Sequence, residues 1–244
     1  MRKKIDLVSH CWAQKHPHYA AALTYQLSSL VLHKPEKCEV RAVICYCPTD
    51  KATLKVLGWF NENTSLDLFL IPLKEGKLGR RSIGRNASAQ ASTADFVWFA
   101  DVDQVYRDGI LDRLAGFDWP DKATMIYPKK IWIHRDHVTG DKATSKVTNN
   151  PQLVDIHLDE FTSKRYDRAI GGVQIVKGDF ARKYGYLGNT PKWQRSVYEV
   201  SDGKMFGDFR DDVVFRTHCK LLGNVQGVNL PGLYRLRHTQ TTHR

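Results

Sequence analysis

The chain is short of acid: 26 aspartates and glutamates stand against 37 lysines and arginines, a formal net charge of +11 over 244 residues. Paired cysteines are also missing. The five cysteines, Cys11, Cys38, Cys45, Cys47 and Cys219, form an odd set without a C-x-x-C, which excludes a disulfide framework and a zinc ribbon and predicts reduced, buried thiols. No apolar run approaches the roughly 18 residues that a membrane-spanning helix needs. Met-Arg-Lys-Lys passes into Ile5-Asp6-Leu7 without a signal-peptide core, so the expectation is a cytoplasmic protein, peripheral to a membrane at most. Zinc-finger, RNP and helix-turn-helix signatures are absent, and so are internal repeats and low-complexity tracts.

What is present describes a folded protein. Hydrophobic residues make up 42% and aromatics 11% of the chain, and the mean hydropathy is −0.44. The first half alternates short apolar runs with helical patterns: strands are expected at 5–9, 40–47, 66–73 and 96–100, with helices at 19–32, from about Asp50 to Phe60, and 83–93. That order, β-α-β-α-β-α-β, predicts an α/β fold with a mostly parallel central sheet flanked by helices. From Lys129 to Tyr166 the spacing becomes irregular and predicts loops with short strands, including Trp132. A strand at 169–176, a helix at 179–184 stopped by Gly185, and a helix at 211–222 stopped by Gly223 follow. No linker divides the chain, so a single domain over 1–244 is expected.

The most informative segment is Phe96-Val97-Trp98-Phe99-Ala100-Asp101-Val102-Asp103, an apolar run long enough for one buried strand that ends in two carboxylates. In extended backbone, residues i and i+2 point the same way, so Asp101 and Asp103 are expected to converge on one hard cation, Mg²⁺ or Mn²⁺, that holds phosphate oxygens. Open α/β sheets bind ligands at the carboxyl ends of their strands.

Further motifs run in a fixed order. Gly84-Arg85-Asn86-Ala87-Ser88 precedes the acidic strand, and Ile170-Gly171-Gly172-Val173-Gln174 follows it. Phe180 with Tyr184-Gly185-Tyr186 comes next, then Gly207-Asp208-Phe209-Arg210-Asp211-Asp212 with Arg216, and finally Tyr234-Arg235-Leu236-Arg237-His238. The ordered set resembles the GT-A class of nucleotide-sugar-dependent glycosyltransferases, nearest to the family 2 type, with similarity to the β-1,4-galactosyltransferase and polypeptide GalNAc-transferase group.

The resemblance implies a donor-binding half over 1–103 and an acceptor-binding and catalytic half over 104–244. It implies a UDP- or GDP-linked sugar donor and an Mn²⁺ or Mg²⁺ ion held by Asp103 with Asp101 and His238, His243 being the alternative histidine. Ser9, Asp50, Arg85, Asn86 and Asp101 would contact the donor, with Arg80 and Arg81 as further candidates. Gly171, Gly172 and Trp193 would contact an acceptor hydroxyl on a glycan, a lipid-linked acceptor or a protein. Asp211 is the expected general base, with Asp208 and Asp212 as alternatives, and a single base implies inversion. The family's acidic pair sits six to seven residues before the arginine, where this chain has Phe209 and Arg210 before Arg216. One of the three aspartates is also expected to cap the following helix.

Two rival readings remain. A sugar-nucleotide nucleotidylyltransferase would need a glycine-rich phosphate loop, and Ser9-His10-Cys11-Trp12-Ala13 has no glycine. A metal-dependent nuclease or basic nucleic-acid-binding protein is favoured by the charge, which draws any polyanion, including an anionic membrane surface. The basic residues occur only as short clusters, Arg2-Lys3-Lys4, Arg80-Arg81 and Lys129-Lys130, so no nucleic-acid partner is expected.

Overall fold

The computed structural model describes residues 2–137, 147, 151–197 and 210–237, which leaves Asp208, His238 and His243 outside the described residues. The first hundred residues fold as their periodicity predicts: β1 (Lys3–Cys11), α1 (His18–Leu32), β2 (Cys38–Tyr46), α2 (Lys51–Asn63), β3 (Asp67–Pro72), a single turn α3 (Glu75–Leu78), α4 (Arg81–Ala91) and β4 (Phe96–Ala100). Then follow β5 (Gln104–Tyr106), α5 (Ile110–Ala115), β6 (Ala123–Pro128), β7 (Lys130–His134), β8 (Phe161–Arg165) and β9 (Val173–Lys177). The last elements are α6 (Gly178–Tyr184), the short α7 (Pro191–Gln194), α8 (Asp211–Leu222), β10 (Asn224–Val228) and β11 (Leu233–Arg235).

Seven strands form the central sheet in the order β10-β6-β9-β4-β1-β2-β3. β1, β2, β3 and β4 pair in parallel, β6 pairs in parallel with β10, and β9 alone runs against its two neighbours. β4 lies in the middle, and all five of its side chains are buried, which is why its sequence carries no polar alternation. Each large apolar side chain so buried contributes roughly 1.5–3 kcal/mol.

α1 is buried from Ala20 to Leu30. A helix apolar on nearly all sides must be covered on both, and here the sheet lies beneath it while the stretch around Val154 crosses above, tied down by the Val154 amide donating to Ser28 Oγ at 3.1 Å. α2 begins at Asp50, whose Oδ1 accepts the Thr53 amide at 3.2 Å. The predicted stop at Gly185 is present at φ +62°, where an L side chain would be strained.

The irregular region resolves into more order than its sequence suggests. β5, β11, β7 and β8 form a second, four-stranded sheet in that order. Trp132, expected in a loop, lies in β7 and stacks on Tyr234 of β11 at 6.1 Å between centroids. All five cysteines are free and buried, as expected. Among the described residues no helix is long and apolar enough to cross a membrane.

Candidate active site

Strand polarity decides which residues meet. β1, β2, β4 and β6 deliver their carboxyl ends to one edge of the sheet, and the helices that precede β4 and β10 run back, so that their amino ends open at the same edge. β9, being reversed, brings its first residues there: Val173 is the partner of Ala100. Gly171-Gly172, Asp101, the first turn of α4 and the first turn of α8 are thereby assembled from distant parts of the chain.

The two acids do not leave β4 in extended backbone. The chain turns at once, with the Gln104 amide donating to the Asp101 carbonyl at 3.3 Å, so strand alternation does not set their directions. Asp101 Oδ1 accepts from Arg81 Nη1 at 3.0 Å and from Arg85 Nη2 at 3.3 Å. Asp103 Oδ2 accepts from Arg235 Nε at 3.0 Å, and the Asp103 carbonyl accepts the Leu236 amide at 2.8 Å. Burial pushes the Asp101 carboxyl up, but Arg81 and Arg85 outweigh it and hold the group below the usual carboxylate range. Asp103 raises the Arg235 pKa, and Asp101 adds to it. Asp101 is therefore anionic at neutral pH.

Arg85 is fully buried and central. Its Nη1 donates to Tyr186 Oη at 2.9 Å, Tyr186 Oη donates to Gln174 Oε1 at 2.9 Å, and Gln174 Nε2 donates to the Asp212 carbonyl at 2.9 Å. A continuous run of hydrogen bonds thus joins the β4 exit to the start of α8. Asp211 lies close enough to raise the pKa of both Arg81 and Arg85.

The paired glycines fit between the acids. A Cβ on Gly172 would stand 2.6 Å from Asp101 Oδ2 and 2.5 Å from Gln104 Nε2, whereas one on Gly171 would meet Asp212 at an ordinary 3.4 Å. The Gly172 carbonyl accepts from Trp98 Nε1 at 3.1 Å and from Gln104 Nε2. No side chain caps α8: the preceding residue is Arg210, and Asp211 and Asp212 occupy the first turn instead, where carboxylates favour the helix dipole. Asp211 Oδ1 accepts the Asp212 amide at 3.0 Å.

The remaining expected residues are distributed as follows. Ser9 and His10 end β1 buried, and neither ring nitrogen of His10 nor Ser9 Oγ has a hydrogen-bond partner among the described residues. Burial, then Arg85 and Arg81, push the His10 pKa well below its usual value, so the ring is neutral. Asp50 is buried away from the acids and spends its oxygens on Thr53 and on the Gln14 amide at 3.1 Å. Asn86 Oδ1 accepts the Tyr186 amide at 3.0 Å. Trp193 is half-buried in α7 with the Arg80 guanidinium 5.6 Å from its ring centre.

Sequence reading missed Tyr19, Gln174 and Tyr186 as site residues. Tyr19 reaches the site from the start of α1; burial, with Asp103 and Asp101 nearby, pushes its phenol up to about 12, so it stays a proton donor. Arg81, a further donor candidate from the sequence, stands one helical turn before Arg85 on the same face of α4.

A divalent ion needs oxygen ligands, and Mg²⁺ is commonly held by one or two carboxylates together with substrate phosphates. Among the described residues no group of three or more His, Cys, Asp and Glu side chains converges for an ion. Asp101 and Asp103 supply a carboxylate pair; the guanidinium bonds from Arg81 and Arg85 fall on Asp101 Oδ1, and Oδ2 faces Gly172. The donor chemistry therefore fits a two-carboxylate site completed by substrate.

No family model matches the chain, and no curated protein matches it. Solved structures do. The mannosyltransferase PcManGT from Pyrobaculum calidifontis, in complex with GDP-Man and Mn²⁺, aligns at 12% identity and TM-score 0.59, over 99% of this chain and 59% of that one. S. aureus TarS 1-349 in complex with UDP aligns at 16% identity and TM-score 0.51, over 95% of this chain and 60% of that one. The galactosyltransferase LgtC, in complex with donor and acceptor sugar analogs, aligns at 16% and 0.51, over 93% and 73%. The chain spans only 36% of a longer TarS structure. At these identities the likeness is one of fold, and by its fold this chain is a GT-A-type α/β protein.

Proposed function

We propose that the protein is a glycosyltransferase that moves a sugar from a UDP- or GDP-linked donor to an acceptor hydroxyl. The observation that carries this reading is the meeting of Asp101 and Asp103 with Arg81, Arg85 and Arg235, beside Gly171-Gly172 and the first turn of α8, at the carboxyl edge of a parallel sheet. Such an edge is where α/β sheets bind ligands, and guanidinium groups suit phosphate oxygens. The similar structures are glycosyltransferases, two of them with GDP-Man and Mn²⁺ or with UDP. The narrower affinity with the β-1,4-galactosyltransferase and GalNAc-transferase group rests on the ordered motifs alone.

Mn²⁺ or Mg²⁺ is the proposed metal, held by Asp103 and Asp101, with His238 as a further ligand. When bound, it supplies Lewis-acid neutralisation of the leaving diphosphate. The chain's own residues do the rest. Arg81, Arg85 and Arg235 set the positive field around the diphosphate. Gly171 and Gly172 let the backbone approach a sugar ring closely.

Asp212 takes the acceptor proton as the acceptor oxygen bonds the anomeric carbon and the bond to the diphosphate breaks, which inverts that carbon. Asp212 suits this role better than Asp211, the choice from sequence. Asp211 is 1% exposed, while Asp212 is partly exposed and faces Gly171.

Melting temperature in the presence of UDP, GDP, ADP and CMP, with and without Mn²⁺, tests the reading. A shift of several degrees with UDP or GDP that needs Mn²⁺, together with donor hydrolysis lost in Asp103→Ala, is expected. No shift with any nucleotide, or tight binding to duplex DNA without nucleotide affinity, would overturn it.

A further inference from the structure

The outer strand of the second sheet carries charge that the site does not use. In the register of β7 with β8, Lys130 stands directly opposite Arg165, and Ile131 opposite Lys164. Like charges facing one another across a ladder are destabilising unless an anion lies between them. Lys129, Lys130, Lys164, Arg165 and Arg168 are all exposed, and among the described residues none of them is ion-paired with a carboxylate. Among the described residues β8 ends the sheet, so Thr162-Ser163-Lys164-Arg165 presents an edge with cations directed to both faces. Among the described residues Asp167 is the one exposed acid within this group, and Asp159 and Glu160 lie at the far end of the strand.

This edge is continuous with the site. The Lys164 ammonium stands 5.5 Å above the Tyr166 ring. Across the second sheet Arg235 of β11 stands opposite Ile133 of β7, Ile133 stands opposite Thr162 of β8, and Arg235 Nε bonds Asp103. Two strand spacings therefore separate Arg235 from the row of cations.

Resting on the glycosyltransferase reading, we propose that the β8 edge seats an acidic glycan, a sugar chain bearing carboxylate or phosphate groups, and so fixes the acceptor class. The edge exposes no aliphatic or aromatic side chain for a bilayer to take up: Thr162, Ser163, Lys164 and Arg165 are its exposed residues. Its rings are ill placed to stack nucleobases. Trp132 is covered by the Lys130 ammonium at 4.8 Å and by Tyr234, and Tyr166 by Lys164. What it offers is a linear array of cations at strand spacing leading to a place where a hydroxyl is needed.

Binding of an oligogalacturonate ladder, with neutral dextran as control, provides the test. The triple variant Lys130→Gln, Lys164→Gln, Arg165→Gln is compared with a triple of equal charge elsewhere, Lys34→Gln, Lys37→Gln, Lys220→Gln. The edge triple is expected to lose at least tenfold in oligogalacturonate affinity and to flatten its salt dependence, with the remote triple within about twofold of the parent. Equal losses in both triples would mean that the whole surface field binds, and would overturn the proposal. So would edge substitutions that abolish binding to phosphatidylglycerol vesicles or duplex DNA while leaving the oligogalacturonate unaffected. The melting shift with UDP or GDP is read in parallel on both triples. Its absence in the parent defeats the transferase reading, whereas its survival alongside unchanged oligogalacturonate binding defeats this proposal alone.

Discussion

Arg85 Nη1 and Tyr186 Oη lie 2.9 Å apart in the interior, 101 residues apart in the chain, and the bond between them links the acid at the end of β4 to the start of α8. Burial raises the Tyr186 pKa, so the phenol is neutral; it accepts from Arg85 and passes its own proton's hydrogen bond to Gln174. Tyr186→Phe removes both bonds and leaves ring packing against Phe99 and Phe215 in place. The expected cost is roughly 1.5–3 kcal/mol of stability, the value of a hydrogen bond to a charged group. In the proposed reaction turnover should fall about tenfold with KM within about threefold, because the α8 acids shift while the donor contacts do not. Urea unfolding and steady-state kinetics measure the two effects separately.

The neighbouring glycines should respond unequally. Gly172→Ala forces a methyl group against Asp101 Oδ2 and Gln104 Nε2, on side chains tied through Asp101 Oδ1 to Arg81 and Arg85 and through Gln104 Nε2 to the Gly172 carbonyl, and overpacking of this kind costs about 1–3 kcal/mol. Gly171→Ala meets Asp212 at ordinary contact distance and should be tolerated. Parallel melting curves and nucleotide titrations of the two variants give the comparison. Equal damage at both positions would contradict the packing described.

At the opposite edge of the sheet, Asp6 accepts from Arg41 at 2.9 and 2.7 Å and from Ser92 Oγ at 2.6 Å. Asp6 is buried and Arg41 half-buried, so Asp6→Ala strands a charge that water reaches only in part; a loss of about 3 kcal/mol is expected. Nucleotide affinity should be unchanged in the surviving folded fraction, which makes this variant a control for damage to the fold alone.

Stability should fall in mild acid. His134 is buried against Phe161, its Nδ1 accepts the Arg237 amide at 3.2 Å, and burial, with Arg237, lowers its pKa to about 4. Its unfolded value near 6.5 is higher, so the unfolded chain takes up a proton first: the protein is fully stable above about pH 6.5 and loses stability as pH falls towards 4, by about 3 kcal/mol at full effect. His10, also depressed, acts with the same sign. His134→Gln keeps an acceptor for Arg237 and should flatten the decline of urea midpoints across this range by its own share; an unaltered slope would reject the assignment.

Much of the architecture was legible because each strand of the first half is a run of apolar residues, and α1 and α2 carry apolar residues at helical spacing. β4 falls on residues 96–100 as read, and α8 on 211–222. The second sheet was not legible: β5 and β11 are three residues long, too short for any period to show, and β8 is polar because only its first residue is buried. The site divided in the same way. Its acids announced themselves by interrupting apolar sequence. Gln174 and Tyr186 stand in two of the ordered motifs, but nothing in their spacing assigned them a role, and it is the course of β9 and the turn after α6 that brings them under Arg85. The capping role expected of an aspartate before Val213 failed for a local reason, since the helix starts at Asp211 itself.

The reversed course of β9 has a consequence for how this molecule is made. Until residue 177 has left the ribosome, β4 has a bare flank, and the most apolar strand of the chain stands as an open edge. Residues 1–103 contain β1 to β4 with the helices that connect them yet lack that covering ribbon, so a fragment ending there should aggregate rather than bind nucleotide. Synthesis must therefore run past residue 177 before the cleft has walls.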